Sequence, residues 1–189
     1  GTFQFRTIYI GGGTPTSLED ILFLRLLGEL RTRFGRFAEE WTVEANPETL
    51  SDAKLNMLGE NGCTRISLGV QSLDEAELHA LGRKASAEAA KTALERALRS
   101  GLKVSADVIS GIPFSLQEGS ARKPALLSNV EYLIKAGVQH ISMYDLIVEQ
   151  GTRIEQQLTR GLLILPDEDA MYEARKAAEA ILAQNGYYR

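Results

Sequence analysis

Short apolar runs alternate along this chain with longer stretches in which hydrophobic residues recur every three or four positions. The runs predict strands over 6–10, 41–45, 64–69, 103–109 and 139–147. The longer stretches predict the helices between them. The first begins after Ser17 as N-cap, with Glu19 and Asp20 in its opening turn. Its expected buried stripe is Leu18, Ile21, Leu22, Leu26, Leu30 and Phe34. A second helix covers 51–61 and stops at Gly62, a residue suited to the left-handed position past a helix end. "SLDE" at 72–75 reads as a capping box for a short helix, and Ser86 caps the next one, which ends at Gly101. Helices over 125–136 and 167–184 follow, the last after a long loop and stopped by Asn185-Gly186. The segment 111–124, "GIPFSLQEGSARKP", is the one expected to be mobile.

Strand alternating with helix implies parallel strands joined by right-handed crossovers. Such a sheet is either doubly wound or curled into a barrel, and the placement of polar residues decides. The strands end in Gly11-Gly12-Gly13-Thr14, in Glu44-Ala45-Asn46-Pro47 and in Gly69-Val70-Gln71. The fourth carries Asp107 in "VSADVISG" and the fifth carries Tyr144 and Asp145 in "ISMYDL". Polar or glycine features at five carboxyl ends fit a barrel, which builds its site from many strand ends, better than a doubly wound sheet with one switch point. The expected fold is α/β, a partial TIM-like barrel forming one domain over 1–189.

Composition narrows the function. Net charge is -4 with both signs interspersed, so no basic stripe for nucleic acid is present. No apolar run approaches the roughly 18–20 residues of a membrane span, and the N-terminus lacks a signal-peptide pattern. A cytoplasmic location is expected. The chain enters a strand within a few residues, which predicts an internal fragment of a longer protein. Its one cysteine, Cys63, permits neither an internal disulfide nor a cysteine-only metal site, and is expected to be a small buried thiol.

Three consecutive glycines suit a tight turn poorly and a close approach to a ligand well, although neither a Walker loop nor G-x-G-x-x-G is formed. Glu44, an acid within an apolar alternation, needs an ion-pair partner or a cationic ligand. Asp107, flanked by Ala106, Val108 and Ile109, would bond to a ligand or to loop backbone. Gln71 and Arg83 read as surface residues on their own. His79 and His140 have no companions at metal-ligand spacing, and Trp41 reads as packing.

Taken together, "YIGGGTPT", "VEANPE", "ISLGVQSLDEAEL..LGR" and "ADVISGIP" resemble the radical S-adenosylmethionine family of oxygen-independent coproporphyrinogen III oxidase and its haem-chaperone-like relatives. "MYDLIVEQGT" resembles the chaperone-like branch more closely. The resemblance covers about 7–189 and implies cofactor contacts. Gly12, Gly13 and Thr14 would receive the aminocarboxylate of S-adenosylmethionine, with Glu44 as a second contact. Gln71, Arg83 and Asp107 would be polar contacts around the same site, or to a second adenosylmethionine in the oxidase.

The resemblance also implies a [4Fe-4S] cluster held by a CxxxCxxC loop that would precede Thr7, so its ligands are not in this chain. A porphyrin or haem substrate is implied for the parent protein. The family's histidine after "LGR" is replaced by Ala85, its Gly-Gln-Thr-like turn by "FSLQEGS", and its C-terminal domain is not in this sequence. No catalytic residue and no metal ligand is assigned. The alternatives are a haem chaperone without oxidase activity and a cluster-less barrel acting as a binding module. A phosphate-specific barrel enzyme is disfavoured, because no basic residue flanks Gly11–Thr14.

Overall fold

The computed structural model describes residues 5–35, 39–115 and 124–188. The strands are β1 (Thr7–Ile10), β2 (Glu40–Ala45), β3 (Arg65–Gln71), β4 (Lys103–Ser110), β5 (Phe114–Ser115), β6 (His140–Asp145) and β7 (Leu163–Ile164). The helices are α1 (Asp20–Leu30), α2 (Asp52–Glu60), α3 (Glu75–Ala80), α4 (Ala87–Arg99), α5 (Leu126–Ala136), α6 (Arg153–Thr159) and α7 (Glu168–Gln184). Five strands form one sheet in the order β1-β2-β3-β4-β6, and β5 pairs with β7. The β1–β2 and β2–β3 ladders are parallel, as the alternation with helices requires. The chain divides into two compact units, Gly1–Val70 with Ala89–Ala106 and Val138–His140, and Gln71–Glu88 with Asp107–Gly137 and Ile141–Arg189.

In the first unit, the two-residue strand period sorts side chains by polarity. Trp41, Val43, Ala45, Ile66, Leu68, Val70, Val104 and Ala106 share the apolar side, none more than 3% exposed. The helices contribute Phe23, Leu27, Leu55, Leu58, Ala90 and Leu94 to this core. Each large side chain so buried stabilises the fold by about 1.5–3 kcal/mol. The opposite phase of the same strands carries Glu40, Thr42, Glu44, Arg65, Ser67 and Ser105. Arg65 ties this polar side together, donating to Glu40 Oε2 at 2.9 Å and Ser105 Oγ at 3.2 Å. That hydrogen bond holds the Glu40 carboxyl below its ordinary range, against the opposing effect of burial.

In the second unit, α5 and α7 pack together, with Val130, Leu133 and Ala178 fully buried. A smaller cluster joins Ala80, Ile112 and Leu163, with Leu81, Ile109 and Leu158 against it.

Four expectations are corrected. Ser17 does not cap α1: it closes a 3₁₀ turn over Pro15–Ser17, its hydroxyl donating to Thr14 O at 2.7 Å, and α1 starts at Asp20. The helix consequently buries Phe23 and Leu27, while Ile21 is 75% and Leu22 50% exposed. The cap of α3 is Asp74, accepting from Glu77 N at 3.0 Å, whereas Ser72 lies buried before it and Glu75 accepts from Ala87 N. The long loop after β6 contains α6, capped by Thr152, and β7. Ser51 and Asp167, read as the first residues of their helices, are the N-caps of α2 and α7, accepting from Lys54 N and from Asp169 N and Ala170 N. Of the segment expected to be mobile, 116–123 lies outside the described residues.

Candidate functional site

The three glycines after β1 serve two different needs. Gly12 and Gly13 have φ of 84° and 65°, in the left-handed region that favours glycine. Around both, the space a Cβ would enter is open to 4 Å. Gly11 is constrained by crowding instead. A Cβ there would meet the Glu44 carboxylate carbon at 2.7 Å. The acid at the end of β2 therefore sits directly on the loop that ends β1.

This placement follows from register. Ile10 pairs with Val43, so Gly11 comes level with Glu44, and Tyr9 lies two residues earlier on the same side. The Tyr9 hydroxyl donates to Glu44 Oε1 at 2.8 Å, and the Gly12 N–H donates to Oε2 at 3.1 Å. A carboxylate offers about four acceptor positions, so these bonds leave room for a cationic donor.

Further bonds stitch the two loops together. Asn46 Nδ2 donates to Thr14 Oγ1 at 2.8 Å, and the Thr16 and Thr49 hydroxyls meet at 2.7 Å. Lys54 Nζ donates to Thr16 O at 2.6 Å. A backbone loop, an oriented carboxylate and a hydroxyl are thereby held ready by the first unit.

The structure brings together Gly12, Gly13, Thr14 and Glu44, four of the seven residues singled out from sequence. The other three belong to the second unit. Gln71 is the last residue of β3 and has a φ of 65°, the sole positive value outside glycine among the described residues. Arg83 follows α3, half-buried, its N–H donating to Leu78 O at 2.9 Å. Asp107 is half-buried in β4, in phase with Ser105 and out of phase with Ala106 and Val108. At the end of β6, Asp145 accepts from Arg175 at 2.7 Å and Tyr144 is 57% exposed. Sequence reasoning missed Tyr9 and Asn46. A same-side position two residues before Gly11 was the available signal for Tyr9, and the Asn-Pro step was the signal for Asn46.

No group of three or more His, Cys, Asp or Glu side chains able to hold a metal occurs among the described residues. Cys63 is 4% exposed and hydrogen-bonds to Trp41 O and Arg65 O, and burial pushes its thiol up to about 12. These residues do not fit an iron–sulfur cluster, which needs several accessible thiolates. The glycine loop with Glu44 does fit a ligand carrying an ammonium group. Among the described residues, no helix is long and apolar enough to cross a membrane.

Comparison with known families matches residues 2–119 to the radical SAM superfamily. The chain belongs to that superfamily. Among curated relatives, this radical SAM chain is 36% identical over 186 residues to "Heme chaperone HemW" of Lactococcus lactis, covering 97% of the chain and 48% of the relative. It is 33% identical over 190 residues to "Radical S-adenosyl methionine domain-containing protein 1, mitochondrial" of Bos taurus, covering 99% and 41%. The chain thus spans less than half the length of these relatives. Among solved structures, it superimposes on the coproporphyrinogen III oxidase HemN of Escherichia coli with a TM-score of 0.76 and 22% identity, covering 98% of the chain and 42% of that structure. The fold is therefore the expected α/β partial TIM-like barrel, with five parallel strands alternating with helices.

Proposed function

We infer that this chain is the S-adenosylmethionine-holding core of a radical SAM protein working in porphyrin or haem metabolism. The observation that carries the reading is the Glu44 carboxylate seated on the Gly11–Gly12 loop, held by Tyr9 and a backbone N–H. On this reading Glu44 accepts the ammonium of adenosylmethionine, while Gly13 backbone and the Thr14 hydroxyl meet its carboxylate end. Gly12, in the left-handed conformation, turns the loop and fixes the acid through its N–H. Gln71, Arg83 and Asp107 supply further polar contacts to the cofactor.

Bound adenosylmethionine supplies radical chemistry once an iron–sulfur cluster can reduce it. The residues here only bind and orient the cofactor, and that cluster would require cysteines other than Cys63. The domain assignment, 1–189 as part of a longer radical SAM protein, and a cytoplasmic location belong to the same proposal. Between oxidase and haem chaperone, the chaperone is favoured. Relatives carrying that name reach 36% identity over 97% of the chain, against 22% for the oxidase structure.

Calorimetric titration of adenosylmethionine into the full-length, cluster-loaded protein tests the site. Glu44→Gln and Asp107→Ala are each expected to weaken binding about tenfold, the equivalent of roughly 1.4 kcal/mol. Unchanged affinity in both variants would sink the assignment.

A further inference from the structure

Gln71 is held in a backbone conformation that non-glycine side chains rarely adopt, and its neighbours show what holds it. Ser72, the next residue, is 0% exposed and is the centre of a buried polar knot. Its hydroxyl donates to Glu77 Oε2 at 2.6 Å and accepts from Asp74 N and Asn129 Nδ2, both at 3.1 Å. One donor and two acceptor positions are all a serine hydroxyl has, so its capacity is filled.

The knot extends in two directions. Asn129 Oδ1, on α5, accepts from Leu73 N at 3.0 Å. Glu77, 5% exposed on α3, accepts through Oε1 from Ala125 N at 2.8 Å, just before α5. Both residues after Gln71 are therefore tied to α5 by groups that have lost their water. A partly made network of this kind is costly in a buried setting, so it stands or falls as a unit.

Burial of a serine, an asparagine and a glutamate beside a strained glutamine does more than join two helices, which apolar side chains would do without desolvating polar atoms. We propose that Ser72, Glu77 and Asn129 are positioning residues that lock Gln71 in its left-handed conformation and so aim its amide at adenosylmethionine. This rests on the reading that Gln71 contacts the cofactor. None of the three touches the cofactor in this scheme, and all act through Gln71.

The test is a double-mutant cycle on the full-length, cluster-loaded protein, with adenosylmethionine affinity read by calorimetry and melting temperature read in parallel. Ser72→Ala is expected to weaken binding about tenfold in the natural background and less than about twofold in a Gln71→Ala background. Its effect on melting temperature is expected to be the same in both. Asn129→Ala should repeat the pattern, which keeps the test open if one variant folds poorly. An equal loss of affinity in both backgrounds would mean a purely structural knot and would overturn the proposal, as would Ser72→Ala binding normally. If Gln71→Ala alone leaves affinity unchanged while Glu44→Gln loses it, the Gln71 contact and this proposal fall while the Glu44 cradle stands. Normal affinity in Glu44→Gln as well would overturn the cradle too.

Discussion

At the scale of single residues, the environment of a group decides what its chemistry can be. Cys63 is a thiol by composition and a small core residue by circumstance. Its Sγ lies 3.2 Å from Trp41 O and 3.1 Å from Arg65 O, and desolvation of the thiolate pushes it up to about 12. At pH 8 only roughly one molecule in 10⁴ carries the reactive thiolate, and burial blocks reagent access besides. A disulfide reagent should therefore label the folded chain at least about a thousandfold more slowly than the urea-unfolded chain. Labelling at equal rates would show the thiol to be exposed. The lone cysteine was legible as buried because it starts a strand directly after a helix-ending glycine. Glu44 was legible as an acid where the alternation offered no obvious partner. Tyr9 was not singled out: its place two residues before Gly11 puts it on the same side as Glu44, but only the β1–β2 register shows its hydroxyl reaching the carboxylate.

At the scale of elements, the five strands of the main sheet were read to within about two residues, since their period of two survives any packing detail, whereas the two-residue strands β5 and β7 were not read. Helix α1 was placed but rotated. The stretch from Leu18 to Leu30 contains leucine or isoleucine at most helical phases, so periodicity alone could not choose the buried face. The choice is made by the Pro15–Ser17 turn, which starts the helix at Asp20 and turns Phe23 and Leu27 inward. The two assignments differ measurably. Phe23→Ala should cost about 3–5 kcal/mol in urea unfolding, and Ile21→Ala less than about 0.5 kcal/mol. The reverse order would show that the sequence stripe had been right. The cap of α3 was misread for a related reason. Ser72 and Asp74 both suit an N-cap, and only the tertiary partners Glu77 and Asn129 draw Ser72 away.

At the scale of the whole molecule, the fold was legible because polar or glycine features fall at the carboxyl ends of five successive strands, and superposition on a solved radical SAM enzyme agrees with it. Of the residues singled out, those the structure brings together were legible on the first unit alone, where register brings Gly11–Thr14 beside Glu44. The chain holds one cysteine, and that one is buried. Residues 1–189 treated with iron and sulfide without oxygen should therefore retain no four-iron cluster, as iron analysis after desalting would show. Stoichiometric iron would mean that ligands of another kind had been overlooked.

The pairing of Ile10 with Val43 has a historical consequence. A Cβ on Gly11 would push the Glu44 carboxylate off the loop, so the two positions must remain level for the acid to stay seated there. Losing one residue inside β1 or β2 would turn the acid to the other side of the sheet and leave the glycines guarding nothing. In lineages descended from this sequence, length within these two strands is therefore where drift must stop.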